Sequence, residues 1–194
     1  MAKLIPYKPD TERKLGFRKV RKLSSDASDG QLELFHPQRD IQKLRHLDPF
    51  EKGLQIDEKN EELAEKLYLE AIRSAVSVAD SYCNLGIIYA RKGNTVDAID
   101  CFTKALGADP RHTEAHYNLA NMYYDAGNYT LALTHYELAM RMDDSFAEVA
   151  YNLALTYLCL NNRAEAVNAL EKYIGMVEGE EQNQAHKLIR LLQS

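Results

Sequence analysis

Tyr82-Cys83-Asn84-Leu85-Gly86-Ile87-Ile88-Tyr89 is followed 34 residues later by His116-Tyr117-Asn118-Leu119-Ala120-Asn121-Met122-Tyr123, and 34 residues further by Ala150-Tyr151-Asn152-Leu153-Ala154-Leu155-Thr156-Tyr157. Asn-Leu, a small residue and the closing Tyr hold register in all three copies, and so do Ala98, Ala132 and Ala166. A fixed period of this length marks stacked supersecondary units, none of which can bury its apolar face alone. Within residues 79–112, Tyr82, Leu85, Gly86 and Tyr89 fall on one helical face. Gly93-Asn94 then breaks the helix. Ala98, Ile99, Phe102, Ala105 and Leu106 form the apolar face of a second helix, and Asp109-Pro110 ends it. Gly86 and Ala98 are small where the two helices approach most closely, with Phe102 and Tyr89 filling the space beside them.

Tyr82-x2-Leu85-Gly86-x2-Tyr89, then Ala98-x3-Phe102 and Pro110, resembles the tetratricopeptide repeat, with Tyr in place of the initial Trp. The second unit, 113–146, keeps Leu119, Ala120, Tyr123, Ala132, Tyr136 and Ala139 but has Asp144 in place of the proline. The third, 147–180, keeps Leu153, Ala154, Tyr157, Ala166 and Leu170. Tyr173 and Glu178 depart from the pattern there, which predicts a second helix that packs less closely or ends later. A degenerate copy over 46–78 precedes these, with Phe50, Gly53, Leu54 and Ile56 on its first helix and Leu63, Ala64, Leu67, Tyr68, Ala71 and Ile72 on its second. Ala185, Leu188, Ile189 and Leu192 predict a capping helix over 181–194. The resemblance covers 46–194. It implies an all-α, right-handed α-solenoid of stacked antiparallel helix pairs, with three clear units, one degenerate unit and a cap.

Residues 1–45 read as a mostly extended or disordered leader, broken by Pro6, Pro9, Gly16, Gly30 and Pro37. Residues 1–23 hold eight Lys/Arg against Asp10 and Glu12, a surplus of +6 in a chain of net charge −5, so the remainder carries −11. Gln31-Leu32-Glu33-Leu34-Phe35 resembles the short peptide by which bacterial replication and repair proteins dock on the sliding clamp. The same segment, followed by Phe50-x2-Gly53-Leu54, is similar to the C-terminal part of some bacterial regulators with a MerR-type head, and the head itself is absent. These likenesses imply a bacterial source. The segment also has the composition of a packing anchor, or of a strand folding back onto the chain's own groove. Arg13, Lys14, Arg18, Lys19, Arg21 and Lys22 could meet phosphate or an acidic partner, or be a solvated tail.

The first helix of each pair lines the concave face in this family. The resemblance therefore puts Asn84, Asn118 and Asn152 on that face. A carboxamide both donates and accepts, so a ladder of them can grip a peptide backbone without reading its sequence. The alternative is that these residues satisfy the helix or solvent, or persist through shared ancestry of duplicated repeats. Beside them are Cys83, Tyr117 and Tyr151; one turn on are Ile87, Asn121 and Leu155, then Ala90, Tyr124 and Leu158. This set predicts aromatic walls for a groove, or packing between repeats. Asp80, Glu114 and Glu148 complement the helix dipole. Members that clamp a C-terminal carboxylate carry Lys and Arg at these inner positions, and this chain does not. The resemblance thus implies a neutral or basic extended segment as ligand.

No Gly-rich phosphate loop, GxSxG or CxxC is present. His112 and His116 are four apart, but Glu114 does not complete an HExxH site. Cys83, Cys101 and Cys159 read as reduced, packed thiols. No apolar run approaches the ~18 residues of a membrane span, and the N-terminus has no signal-peptide core. The sequence therefore predicts a non-catalytic cytoplasmic scaffold with no cofactor and no metal, binding a protein partner through an extended peptide. The alternative is an accessory protein of a replication or transcription assembly, touching nucleic acid at most through residues 1–45.

Overall fold

The computed structural model describes residues 47–193. The leader, with its basic residues and Gln31–Phe35, lies outside the described residues. The described residues form nine helices and no strand, in two compact units that divide after Pro110.

The first unit holds α1 (Pro49–Ile56), α2 (Glu61–Arg73), α3 (Val78–Arg91) and α4 (Thr95–Ala108). A capping box starts α1: Glu51 N–H donates to the Asp48 carboxylate at 2.8 Å and Asp48 N–H to the Glu51 carboxylate at 3.1 Å. Both groups satisfy donors that the first turn leaves open. Pro49 follows at the first helical position, where its missing N–H costs nothing. Between α3 and α4 the chain reverses through Gly93 at φ +79°, which any side chain would strain. The core gathers Phe50, Ala64, Tyr68, Ala71, Leu85, Ile88 and Cys101.

Glycine at position 86 is dictated by the ring opposite. A Cβ there would lie 2.7 Å from the Phe102 ring, which is wholly buried and cannot give way. The pair α1–α2 repeats the contact, with Gly53 facing the Tyr68 ring at the same 2.7 Å. Gly86→Ala removes the glycine penalty in a helix, about 1 kcal/mol, but overpacks the core by about 1–3 kcal/mol. A net loss of up to about 2 kcal/mol is expected in denaturant unfolding. Phe102→Leu introduced with it should recover most of that loss, because Ala154 and Leu170 already stand together at the matching positions. Additive costs in the double variant would refute the contact as the cause.

The second unit holds α5 (Thr113–Asp125), α6 (Tyr129–Met142), α7 (Ala147–Cys159), α8 (Arg163–Ile174) and α9 (Glu180–Gln193). Its helix-pair turns use Gly127 at φ +74° and, in the same register, Asn161 at φ +60°. Asn is the residue other than Gly that enters this region most readily. The next residues, Asn128 and Asn162, cap α6 and α8, accepting from Leu131 N–H at 3.2 Å and Glu165 N–H at 3.3 Å. His112 does the same for α5, its Nδ1 accepting from Ala115 N–H at 3.1 Å. The core runs through Tyr117, Ala120, Tyr136, Val149, Leu153, Leu170 and Tyr173 to Leu188.

Tyr173 departs from its expectation. Its ring is buried, its hydroxyl donates to Glu181 at 3.1 Å, and α8 stops at Ile174. The neighbour that receives it is α9, the last helix, rather than the first helix of another pair. Gln182 then closes the end of α8, its Nε2 donating to the carbonyls of Ile174 and Val177 at 3.2 Å each. No helix among the described residues is long and apolar enough to cross a membrane.

Candidate functional site

In the first unit, Asn84 and Ile87 are both buried on α3. Asn84 Nδ2 donates to the Tyr68 hydroxyl at 3.5 Å, and that hydroxyl donates to Asp57 at 3.2 Å. Asp57 meets Arg91 at 2.7 Å, and Arg91 also meets Glu61 at 2.8 Å. A polar line thus runs from a buried carboxamide to a half-exposed guanidinium. Burial, with the Asp57 charge added, pushes the Tyr68 phenol far above its usual range, so it keeps its proton and donates. Ser81 Oγ, one turn before Asn84, is buried with no hydrogen-bond partner among the described residues.

In the second unit, Asn118, Asn121 and Asn152 are all buried. Asn121 Oδ1 accepts from the Tyr136 hydroxyl and, at 3.2 Å, from Asn152 Nδ2. The other end of the Asn152 carboxamide, Oδ1, has no hydrogen-bond partner among the described residues. Leaving such a buried acceptor unmet costs about 1–3 kcal/mol. Around this point Leu155 and Leu158 are buried, with Tyr124 and Tyr151 half-buried against them. Tyr151 packs on Tyr173 at 5.1 Å, and Tyr124 turns its hydroxyl to Cys159 Sγ at 3.4 Å.

Tyr117 is no groove wall. It is 1% exposed and packs between Tyr136 and Phe146, at ring separations of 6.1 and 4.8 Å. Asn121 likewise has an internal role that its place on α5 did not announce. The register carries the missed signal: Phe102 matches Tyr136 and Leu170, while Ile87 matches Asn121 and Leu155. Of the three repeats in phase, the one with a hydroxyl at the first position is the one with a carboxamide at the second.

Other reactive groups are quiet. Among the described residues no three metal-ligating side chains converge. Burial, and then Asp100, pushes the Cys101 thiol up to about 12, which removes the thiolate needed for nucleophilic attack. His116 and His135 meet Nδ1 to Nδ1 at 2.9 Å, and Tyr123 stacks on His135 at 5.6 Å.

Stacked helix pairs with a small residue facing a buried ring define a helical repeat protein, and the sequence comparison gives the family. Tetratricopeptide repeat models match residues 60–110, 83–146 and 147–176, so the chain belongs to the tetratricopeptide repeat family. Solved structures with the same fold include the MamA protein (TM-score 0.61, 21% identity, covering 75% of this chain and 84% of that one). The first TPR of Spaghetti (RPAP3) bound to an HSP90 peptide aligns with TM-score 0.54 and 24% identity over 60% of this chain and 96% of that one. The first TPR domain of human RPAP3 aligns with TM-score 0.52 and 23% identity over 59% and 89%. No curated protein matches the sequence.

Proposed function

We propose that the chain is a non-catalytic interaction scaffold that holds an extended segment of a partner protein against the first helices of its pairs. The observation that carries this reading is the unmet acceptor of Asn152, fixed by the Asn121 bond on its Nδ2 side and wholly buried, so a bound segment reaches it only by opening the packing around it. A backbone N–H of a bound segment is the donor that would satisfy it. Asn118 lies at the same register on α5. Tyr124 and Tyr151, half-buried beside Leu155, supply apolar contact for side chains of that segment. The solved first TPR of Spaghetti (RPAP3), a protein of the same fold, is bound to an HSP90 peptide, which supports this reading. The absence of Lys and Arg at the inner positions points here to a neutral or basic segment.

Magnitudes divide the labour. At ~0.5–1.5 kcal/mol net per hydrogen bond, the Asn152 carboxamide supplies about 1 kcal/mol, whereas micromolar affinity needs about 8 kcal/mol. Side-chain contacts at the tyrosines supply the rest and set specificity. The test is to select peptides on the full chain by display and then scan the best binder with backbone N-methylation. N-methylation at one position should weaken binding by about tenfold, the value of one well-made bond to a buried acceptor. Asn152→Leu should lose the same factor and become insensitive to that methyl group. If Asn152→Leu binds the selected peptide as wild type does, the acceptor is not the contact.

A further inference from the structure

A hollow of about 380 Å³ opens on the side of the second unit built by the second helices of its pairs. Ala150, Leu153 and Tyr157 reach it from α7 at i, i+3 and i+7, one stripe of the helix. Asn152 lies off that stripe, so the hollow is separate from the site proposed above. Its floor is apolar, made by Met140 of α6, Ala150 and Leu153 of α7, and Ala169 of α8. The volume falls in the range of binding sites, about 300–1,000 Å³.

Charge sets what can sit there. Arg141 and Lys172 are exposed in the last turns of α6 and α8 and line the same rim. Neither has a carboxylate partner among the described residues; Arg141 Nε reaches only the Glu137 carbonyl, at 3.4 Å. By contrast, Arg91, Lys92 and Lys104 of the first unit are each ion-paired, to Asp57, Glu65 and Asp100. On the rest of the rim, Glu137 accepts from the Tyr157 hydroxyl at 2.8 Å, and Glu165 accepts from Asn168 at 3.3 Å. Burial, with these charges added, pushes the Tyr157 phenol up to about 12, so it keeps its proton and donates to Glu137. Glu165 is in the first turn of α8 and Lys172 in the last. Seven residues of helix separate them, roughly 10 Å at 1.5 Å per residue. The hollow therefore has Arg141 and Lys172 at one end, Glu165 at the other and an apolar floor, with Glu137 on the rim one turn from Arg141 and held by the Tyr157 hydroxyl.

We propose that this hollow is a second docking site, taking a partner peptide with an apolar side chain flanked by an acid on one side and a base on the other. The apolar group sits on Met140, Leu153 and Ala169. The acid meets Arg141 and Lys172, and the base meets Glu165. The roughly 10 Å between the charged ends corresponds to about three residues of extended chain.

The test is a titration of the full chain, labelled at its Ala, Leu and Met methyl groups, followed by NMR. The probes are the capped peptides Gly-Asp-Leu-Gly-Lys-Gly, its Asn-for-Asp form, and a form with Lys at both charged positions. The first peptide should shift the Met140, Ala150, Leu153 and Ala169 methyls, and removing its acid should weaken it about tenfold. In the Arg141→Glu/Lys172→Glu variant the first peptide should lose at least as much, and the two-lysine peptide should become the better ligand. Both substituted residues are exposed, and the methyl spectrum itself reports whether the variant is folded. Asn152→Leu should leave these affinities unchanged, which separates this site from the one proposed above. The proposal is overturned if no probe moves these methyls at millimolar concentration, or if all three peptides bind alike.

Discussion

Replacing Tyr136 by Ala is expected to destabilise the protein by about 3–5 kcal/mol, the cost of deleting a large buried aromatic ring. The ring is wholly buried and stands against Tyr117 in the main core of the second unit. Its hydroxyl also donates to Asn121, the residue that fixes Asn152. Tyr136→Phe separates the two roles. Phe102 occupies the same register in the preceding repeat without a hydroxyl, so the ring alone fits that position. Tyr136→Phe should cost about 1 kcal/mol, the net worth of one hydrogen bond. Denaturant melts of the two variants check the ratio. The second unit should respond more than the first, since repeat arrays lose stability locally. Near-equal costs for Ala and Phe would place the stabilisation in the hydroxyl rather than the ring.

Much of the fold was legible because the repeat supplies its own alignment. Three copies in phase name the close-contact positions, and the structure gives the reason at Gly86 and Gly53, where a ring leaves no room for a methyl group. Turn chemistry was legible at Gly93 but not at Asn161, which takes the same left-handed conformation without being glycine. Tyr173 misled because periodicity describes a residue's own helix and not its neighbour. A bulky side chain at a small-residue position reads as a defect until the element across from it is known to be the terminal α9.

Less of the site could be read. The family pattern places Asn84, Asn118 and Asn152 on the first helices, but it does not say what their carboxamides touch. Hydrogen-bond partners depend on a few tenths of an ångström and on residues far away in sequence. Tyr68 lies 16 residues before Asn84, and Asn121 lies 31 before Asn152. Tyr117 shows the same limit. Its position one residue from Asn118 suggested a wall, but consecutive helical residues point about 100° apart, and this helix is buried all round from Ala115 to Met122, so both side chains are core. The pairing of Tyr136 with Asn121 was present in the sequence as a joint change between repeats, and only the bond itself made that change meaningful.

Acid should destabilise the second unit through His135. Burial, and then the nearby His116, lowers the His135 imidazole from its usual 6.5 to about 4. The folded protein therefore holds His135 neutral while the unfolded chain protonates it, so the unfolded state binds more protons between these values. Stability is fully present above about pH 6.5 and falls as the pH drops towards about 4. At ~1.4 kcal/mol per pH unit, the loss through this one group is on the order of 3 kcal/mol. His116 and His135 meet through Nδ1 atoms 2.9 Å apart, so in the neutral pair one donates and the other accepts, and a second proton would set two donors against each other. The matching positions are Tyr82 and Cys101 in the preceding repeat and Ala150 and Ala169 in the following one, so neither histidine is required by the fold. His135→Ala should accordingly flatten the stability profile between pH 6.5 and 4, while lowering stability at pH 7 only by the packing it removes against Tyr123. Urea melts at closely spaced pH values measure the slope. A wild-type profile that His135→Ala leaves unchanged would assign the acid sensitivity to carboxylates instead, with the Asp57–Arg91 ion pair of the first unit the next group to remove.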